Sequence, residues 1–158
     1  AQYEDENRCS ELDSPRLYAL TQEHKHLKEM KAVSGLAKTP IFSPIICDYP
    51  QGMVVSIPLY TDRMTKKYTK QDIFEMFSEH YAGSDIVKVR SLGYTEGMIA
   101  SNTFENRDDM EIEINGNDDR ILITSRFDNL GKGASGAAIQ CMNIAMGIDE
   151  KTGLNIGE

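Results

Sequence analysis

Apolar residues come in short runs whose spacing alternates between two residues and three to four. Leu17–Leu20 is a brief apolar stretch. Leu27, Met30 and Val33 then recur at helical spacing, predicting a helix over about residues 22–33, with Thr21 as cap and Gly35 as stop. Ile41–Cys47 is rich in β-branched residues, but Pro40 and Pro44 confine it to a sheet edge or a bent segment. Tyr49-Pro50-Gln51-Gly52 reads as a turn, and Met53–Tyr60 as the strand after it. Thr69 should cap a second helix running to about Tyr81, with Ile73, Phe74, Met76 and Phe77 on its buried face and Gly83 as stop. Ile86–Val89 and Met98–Phe104 are predicted strands. Glu111–Ile114 alternates polar with apolar, Asn115-Gly116 is a hairpin turn signal, and Arg120–Phe127 is the return strand. A last helix should run from about Lys132 to Met146 and stop at Gly147. The order β-α-β-β-β-β-α lacks the strict alternation of a doubly wound sheet. It predicts an α+β domain with a mixed, mostly antiparallel sheet and helices on one face.

Composition narrows the function classes. A chain of 158 residues is one domain by size, and buries about 70 % of its unfolded surface. The polar, acidic residues 1–13 read as a flexible lead-in, and residues 14–158 as the domain. With 17 Lys and Arg against 25 Asp and Glu, the net charge is -8, which argues against a nucleic-acid partner. No apolar run approaches the roughly 20 residues needed to span a bilayer, so no membrane partner is expected. Cys9, Cys47 and Cys141 are far apart, lack metal-ligand spacing, and read as reduced cytoplasmic thiols; no metal site is expected.

Three segments carry candidate chemistry. Gly131-Lys132-Gly133-Ala134-Ser135-Gly136 fits G-x-G-x-x-G, but too little chain follows it to complete a βαβ unit. The small residues then serve close helix packing, or open amides beside Lys132 meet an anion. His24-Lys25-His26 with Glu29 is the densest titratable cluster. In an extended segment the two histidines share a side; on a helix His26 and Glu29 are neighbours. A carboxylate beside an imidazole orients it for acid/base work, whereas the bland alternative is a solvated polar face. Asp128-Asn129 reads as a capping segment. Arg126 suits a substrate carboxylate or phosphate, or a neighbouring acid.

Phe127-Asp128-Asn129-Leu130-Gly131-Lys132-Gly133-Ala134-Ser135-Gly136 and the following Ala137 to Asn143 closely resemble the D-N-L-x-K-G-A-x-G-x-A-x-Q-x-M-N signature of N-acetyl-gamma-glutamyl-phosphate reductases. Tyr18 followed by His24-Lys25-His26-Leu27-Lys28-Glu29 is similar to that family's Y…H-R-H-x-P-E segment. Phe42-Ser43-Pro44, Gln51-Gly52-Met53 and Ser101-Asn102 resemble its F-x-P, R-G-I and G-S-N steps. The matches keep family order from Tyr18 to Leu154.

The resemblance implies the substrate-binding and dimerisation domain of the glyceraldehyde-3-phosphate-dehydrogenase type. It implies NADPH-dependent reductive dephosphorylation of an acyl phosphate, N-acetyl-glutamyl phosphate, in arginine biosynthesis, by a homo-oligomer (dimer or tetramer) in the cytoplasm. His26 with Glu29 becomes the expected acid/base pair and His24 a catalytic neighbour. Tyr18 and Arg126 become substrate-binding residues. Asn129, Lys132, Gly133, Ala134 and Gly136 become a surface facing the cofactor. The family's nucleotide domain and its G-C-Y-x-T nucleophile segment are expected to lie outside this chain, which alone should be inactive; none of the three cysteines takes the nucleophile's role. Lys28 replaces a family proline, and Gln51 stands where a family arginine does. A non-catalytic oligomerisation module on the same fold, or a reductase of the longer aminoadipyl analogue in lysine biosynthesis, are the alternatives.

Overall fold

The computed structural model describes residues 2–157 as two compact units that divide between Pro50 and Gln51. In the first unit, 3-10 turns at Gln2–Glu4 and Ser10–Asp13 precede β1 (Arg16–Leu17), α1 (Lys25–Ser34) and β2 (Ile45–Ile46). Arg8 pairs with Asp13 and, at 2.6 Å, with Asp48. β1 and β2 form an antiparallel pair with Arg16 opposite Ile46, so only Ile45–Ile46 of the apolar run 41–47 becomes strand.

α1 begins three residues later than the pattern predicts. Gln22 sits at φ 59°, a left-handed conformation that cannot continue a right-handed helix. His24, not Thr21, is the N-cap, and its ring accepts the His26 N–H. Gly35 ends the helix at φ 68°, as predicted.

The second unit holds a four-stranded sheet in the order β3-β6-β5-β4: β3 (Met53–Tyr60), β4 (Val87–Val89), β5 (Met110–Gly116) and β6 (Arg120–Phe127). Only β4–β5 is parallel, so the sheet is mixed and mostly antiparallel, as the sequence order predicts. α2 (Lys70–His80) packs on it, started by a full capping box between Thr69 and Asp72. Ile73 of α2 meets Ile112, Ile114 and Ile121 in the core, flanked by Phe74, Phe77, Val87 and Val89.

Two local expectations fail. Residues 98–104 form no strand. Ser101–Phe104 is a 3-10 turn whose Phe104 is buried and whose Ala100 carbonyl and Thr103 hydroxyl face Arg126. The hairpin turn also lies beyond Asn115-Gly116, because Asn115 and Gly116 still pair with Leu122 and Ile121. Asn117 makes the turn, its side-chain oxygen accepting the N–H groups of Asp119 and Arg120. The third helix comes as a π-helical turn, Gly131–Ser135, followed by α3 (Gly136–Met146) and Gly147 at φ 70°.

The sheet face opposite the isoleucines is buried and charged. Asp109, Glu111 and Glu113 are all nearly inaccessible. Arg90 donates to Glu111 at 2.7 Å, Arg126 donates to its other oxygen at 2.5 Å, and Thr95 donates to Glu113 at 2.8 Å. Arg107 grips Asp109 at 2.8 Å while lying over the Phe104 ring. Buried carboxylates are tolerable because each has such partners.

Candidate active site

The histidine cluster is assembled by short-range contacts in the first unit. The Tyr18 N–H donates to the Pro44 carbonyl at 3.2 Å, just past the β1–β2 pair. Gln22 holds Phe42 twice, donating to its carbonyl at 2.7 Å and accepting its N–H at 2.9 Å. Ala19 and Gln22 both adopt positive φ, 52° and 59°, so this turn carries backbone strain. The result is a ring cluster centred on His24: 6.0 Å to Tyr18, 5.1 Å to Phe42 and 4.9 Å to His26.

The two histidines have different hydrogen-bond assignments. His24 Nδ1 accepts the His26 N–H at 3.3 Å, so its neutral ring carries the proton on Nε2. His26 Nδ1 lies 2.6 Å from Glu29 Oε2. An ionised carboxylate only accepts, which puts a proton on Nδ1 and, in the neutral ring, leaves the lone pair on Nε2. The His26 ring holds the Glu29 carboxyl below the usual carboxylate range. Both side chains are solvent-accessible.

Arg126 and the glycine-rich turn belong to the second unit. Arg126 is buried, and its guanidinium faces Glu111, Glu113, Ala100 and Thr103. Of the two partners left open by sequence, the neighbouring acid is the one it has here. Asn129 accepts the Gly52 N–H at 2.8 Å, and Lys132 donates to Gln140 at 2.5 Å. The turn spends five of its amides on its own chain. Leu130 and Gly131 donate to the Asp128 carboxylate, Lys132 to the Arg107 carbonyl, Gly133 to the Asp128 carbonyl and Ser135 to the Leu130 carbonyl. A Cβ on Gly131 would overlap the Arg107 carbonyl, and one on Gly136 the Asp108 carboxylate. Close packing explains these glycines, and the amides are not free to cradle a phosphate. Gly133 and Ala134 are exposed.

Phe42 and Gln22 complete the histidine cluster, and sequence reasoning placed neither there; only the tertiary pairing of residues 22 and 42 reveals them. Among the described residues no three His, Cys, Asp or Glu side chains converge as a metal centre requires. The three cysteines are free thiols.

A strained turn presenting an imidazole–carboxylate pair, and a mixed sheet followed by a glycine-rich helix start, together fit a dehydrogenase-type domain. The chain belongs to the semialdehyde dehydrogenase dimerisation-domain family, whose model matches residues 1–129. It is 40 % identical over 149 residues to the N-acetyl-gamma-glutamyl-phosphate reductase of Sinorhizobium fredii, covering 92 % of this chain and 48 % of that protein. The reductases of Allorhizobium ampelinum and Brucella ovis are 38 % and 36 % identical over 151 and 152 residues, covering 92 % and 93 % of this chain and 49 % of each relative. The chain thus spans about half the length of these curated relatives. No helix among the described residues is long and apolar enough to cross a membrane.

Proposed function

We propose that this chain is the substrate-side and dimerisation half of an N-acetyl-gamma-glutamyl-phosphate reductase, acting with a nucleotide-binding half. The observation that carries the reading is the His26–Glu29 pair at 2.6 Å in a chain similar to reductases of that name. Acyl-phosphate reduction through a thioester needs a base for the thiol, whose sulfur bonds to the acyl carbon as the C–O bond breaks and phosphate leaves. It needs an acid/base again when the thiohemiacetal collapses to aldehyde and thiol. His26 Nε2 suits both proton movements, with Glu29 fixing the ring through Nδ1. His24, with its proton on Nε2 and its ring 6.0 Å from Tyr18, suits holding a substrate oxygen by donating to it.

NADPH, when bound, supplies the hydride. Exposed Gly133 and Ala134 fit one wall of its site. The turn's engaged amides do not fit a phosphate cradle, so the cofactor's phosphates are assigned to the other half. The uncharged segment 133–148, with Met142, Ile144 and Met146 exposed on α3, supports a covering partner in the longer protein.

Parallel substitutions in the intact enzyme test the assignment. His26→Asn should lower kcat by roughly 10²–10⁴-fold, the usual size of a general acid/base contribution. His24→Asn should mainly raise KM. The reverse pattern would exchange the two roles, and unchanged kcat in both would make the cluster a solvated face.

A further inference from the structure

We propose that Gln51 and Asp128 form a positioning pair that sets the glycine-rich turn, and that position 51 takes no anion. Asp128 is fully buried. Its carboxylate gathers donors from three separate segments. Oδ1 accepts the N–H groups of Leu130 at 2.7 Å and Gly131 at 3.1 Å; Oδ2 accepts the Asn106 N–H at 2.5 Å and the Gln51 amide at 3.0 Å. All four are neutral, and three are backbone groups that no substitution short of proline removes. Gln51 is therefore the adjustable partner of a buried negative charge.

The backbone around Gln51 has little freedom to turn its side chain elsewhere. Gly52 adopts φ 110°, and a Cβ there would overlap the Ser101 carbonyl and Asn102 Cα. Its N–H is held by Asn129 at 2.8 Å. Residues 51–52 are thus wedged between the 101–102 backbone and the 128–129 step. On the far side of Asp128, the Lys132 N–H reaches the Arg107 carbonyl at 3.3 Å, while Asn155 ties Asn106 and Asp108 together at 2.6 and 2.8 Å. The carboxylate is the knot at which these segments meet, and the π-helical turn starts at Gly131, the last residue whose N–H it holds. An arginine side chain at position 51 would have the same carboxylate within reach and would pair with it internally. The consequence for the cofactor-facing wall rests on the proposed function; the placement of the turn does not.

The test needs neither cofactor nor activity. Amide exchange in the 158-residue chain is compared for the unsubstituted protein, Gln51→Met and Gln51→Arg, with inorganic phosphate titrated into each by calorimetry. Gln51→Met should speed exchange at Asn106, Leu130 and Gly131 by about tenfold, because a donor to a buried charge is lost. Exchange at core Ile112 should stay unchanged. Gln51→Arg should restore protection at the three amides without gaining phosphate affinity. Unchanged exchange in Gln51→Met, or phosphate binding about tenfold tighter in Gln51→Arg, would overturn the proposal. If Gln51→Met does not fold, Gln51→Asn, whose amide falls short of Asp128, should give the same acceleration, and its absence would overturn the proposal equally.

Discussion

His26 and Glu29 differ from an ordinary helical i,i+3 pair because α1 opens with a histidine cap whose ring lies 4.9 Å from that of His26. In the proposed mechanism Glu29 orients the ring and transfers no proton itself. Glu29→Gln in the intact enzyme should therefore cost roughly tenfold in kcat, less than His26→Asn, because misorientation is cheaper than loss of the base. Asp128 is the other residue whose ionisation matters. Burial pushes its carboxyl up, but the N–H groups of Leu130, Gly131 and Asn106 with the Gln51 amide outweigh that, and the net direction is down. A depressed carboxyl stabilises the fold above its unfolded pKa, and that stability is lost as pH falls through the folded one. Acid unfolding of the chain should steepen below about pH 4, the ordinary aspartate value. Asp128→Asn should flatten that limb and cost about 1–3 kcal/mol at neutral pH, read by chemical denaturation. Sequence reasoning identified Asp128-Asn129 as a cap. It did not reach Asn106 and Gln51, because contacts 22 and 77 residues apart leave no local pattern.

At the scale of elements, local signals succeeded where one physical requirement dominated. Thr69 with Asp72 makes the capping box that starts α2, and Thr69→Ala should cost about 1 kcal/mol. The strands Met53–Tyr60 and Arg120–Phe127 have the predicted bounds, because β-branched runs between turn residues have few other solutions. Met98–Phe104 misled because Phe104 is buried under Arg107 and Arg126 while Met98 stays exposed, and the segment forms no ladder. β5 is the subtler case. Its alternation predicts one core face and one polar face; the structure buries both, isoleucines on one side and carboxylates on the other. Two measurements separate the faces. Ile112→Ala should cost about 2–5 kcal/mol by cavity formation. Glu111→Ala should cost about 3–5 kcal/mol, because it strands the Arg90 and Arg126 charges.

The whole molecule leaves apolar surface uncovered. Met53, Val55 and Ile57 form an exposed row on β3, an eight-residue edge strand. Long apolar edges invite pairing unless covered. As a member of a dimerisation-domain family, the chain is expected to self-associate. Light scattering at tens of micromolar should report a dimer or larger; a strict monomer there, where micromolar affinity would already show, contradicts it. Calorimetry with NADPH should find no micromolar binding to this chain alone, since the turn's amides are spent internally.

The sequence by itself determined the fold class, the bounds of two long strands, the Thr69 cap of α2, the glycine stops of α1 and α3, and the family. Each rests on local chemistry: alternation, cap acceptors, left-handed glycines and short motifs in fixed order. Only the tertiary structure decided which face each charge occupies. Arg126 reads equally well as a ligand for substrate or for an acid, until strand pairing places Glu111 beside it. The glycine-rich motif reads as a packing surface with an anion cradle as the other choice, and Arg107 and Asp108 fill the space its side chains would need. His24 and His26 look alike in sequence, until the helix start gives one ring a backbone N–H and the other a carboxylate. In each case the partner lies on another segment or depends on where a helix begins, and the free energy of a buried polar group is set by that partner more than by the residue itself.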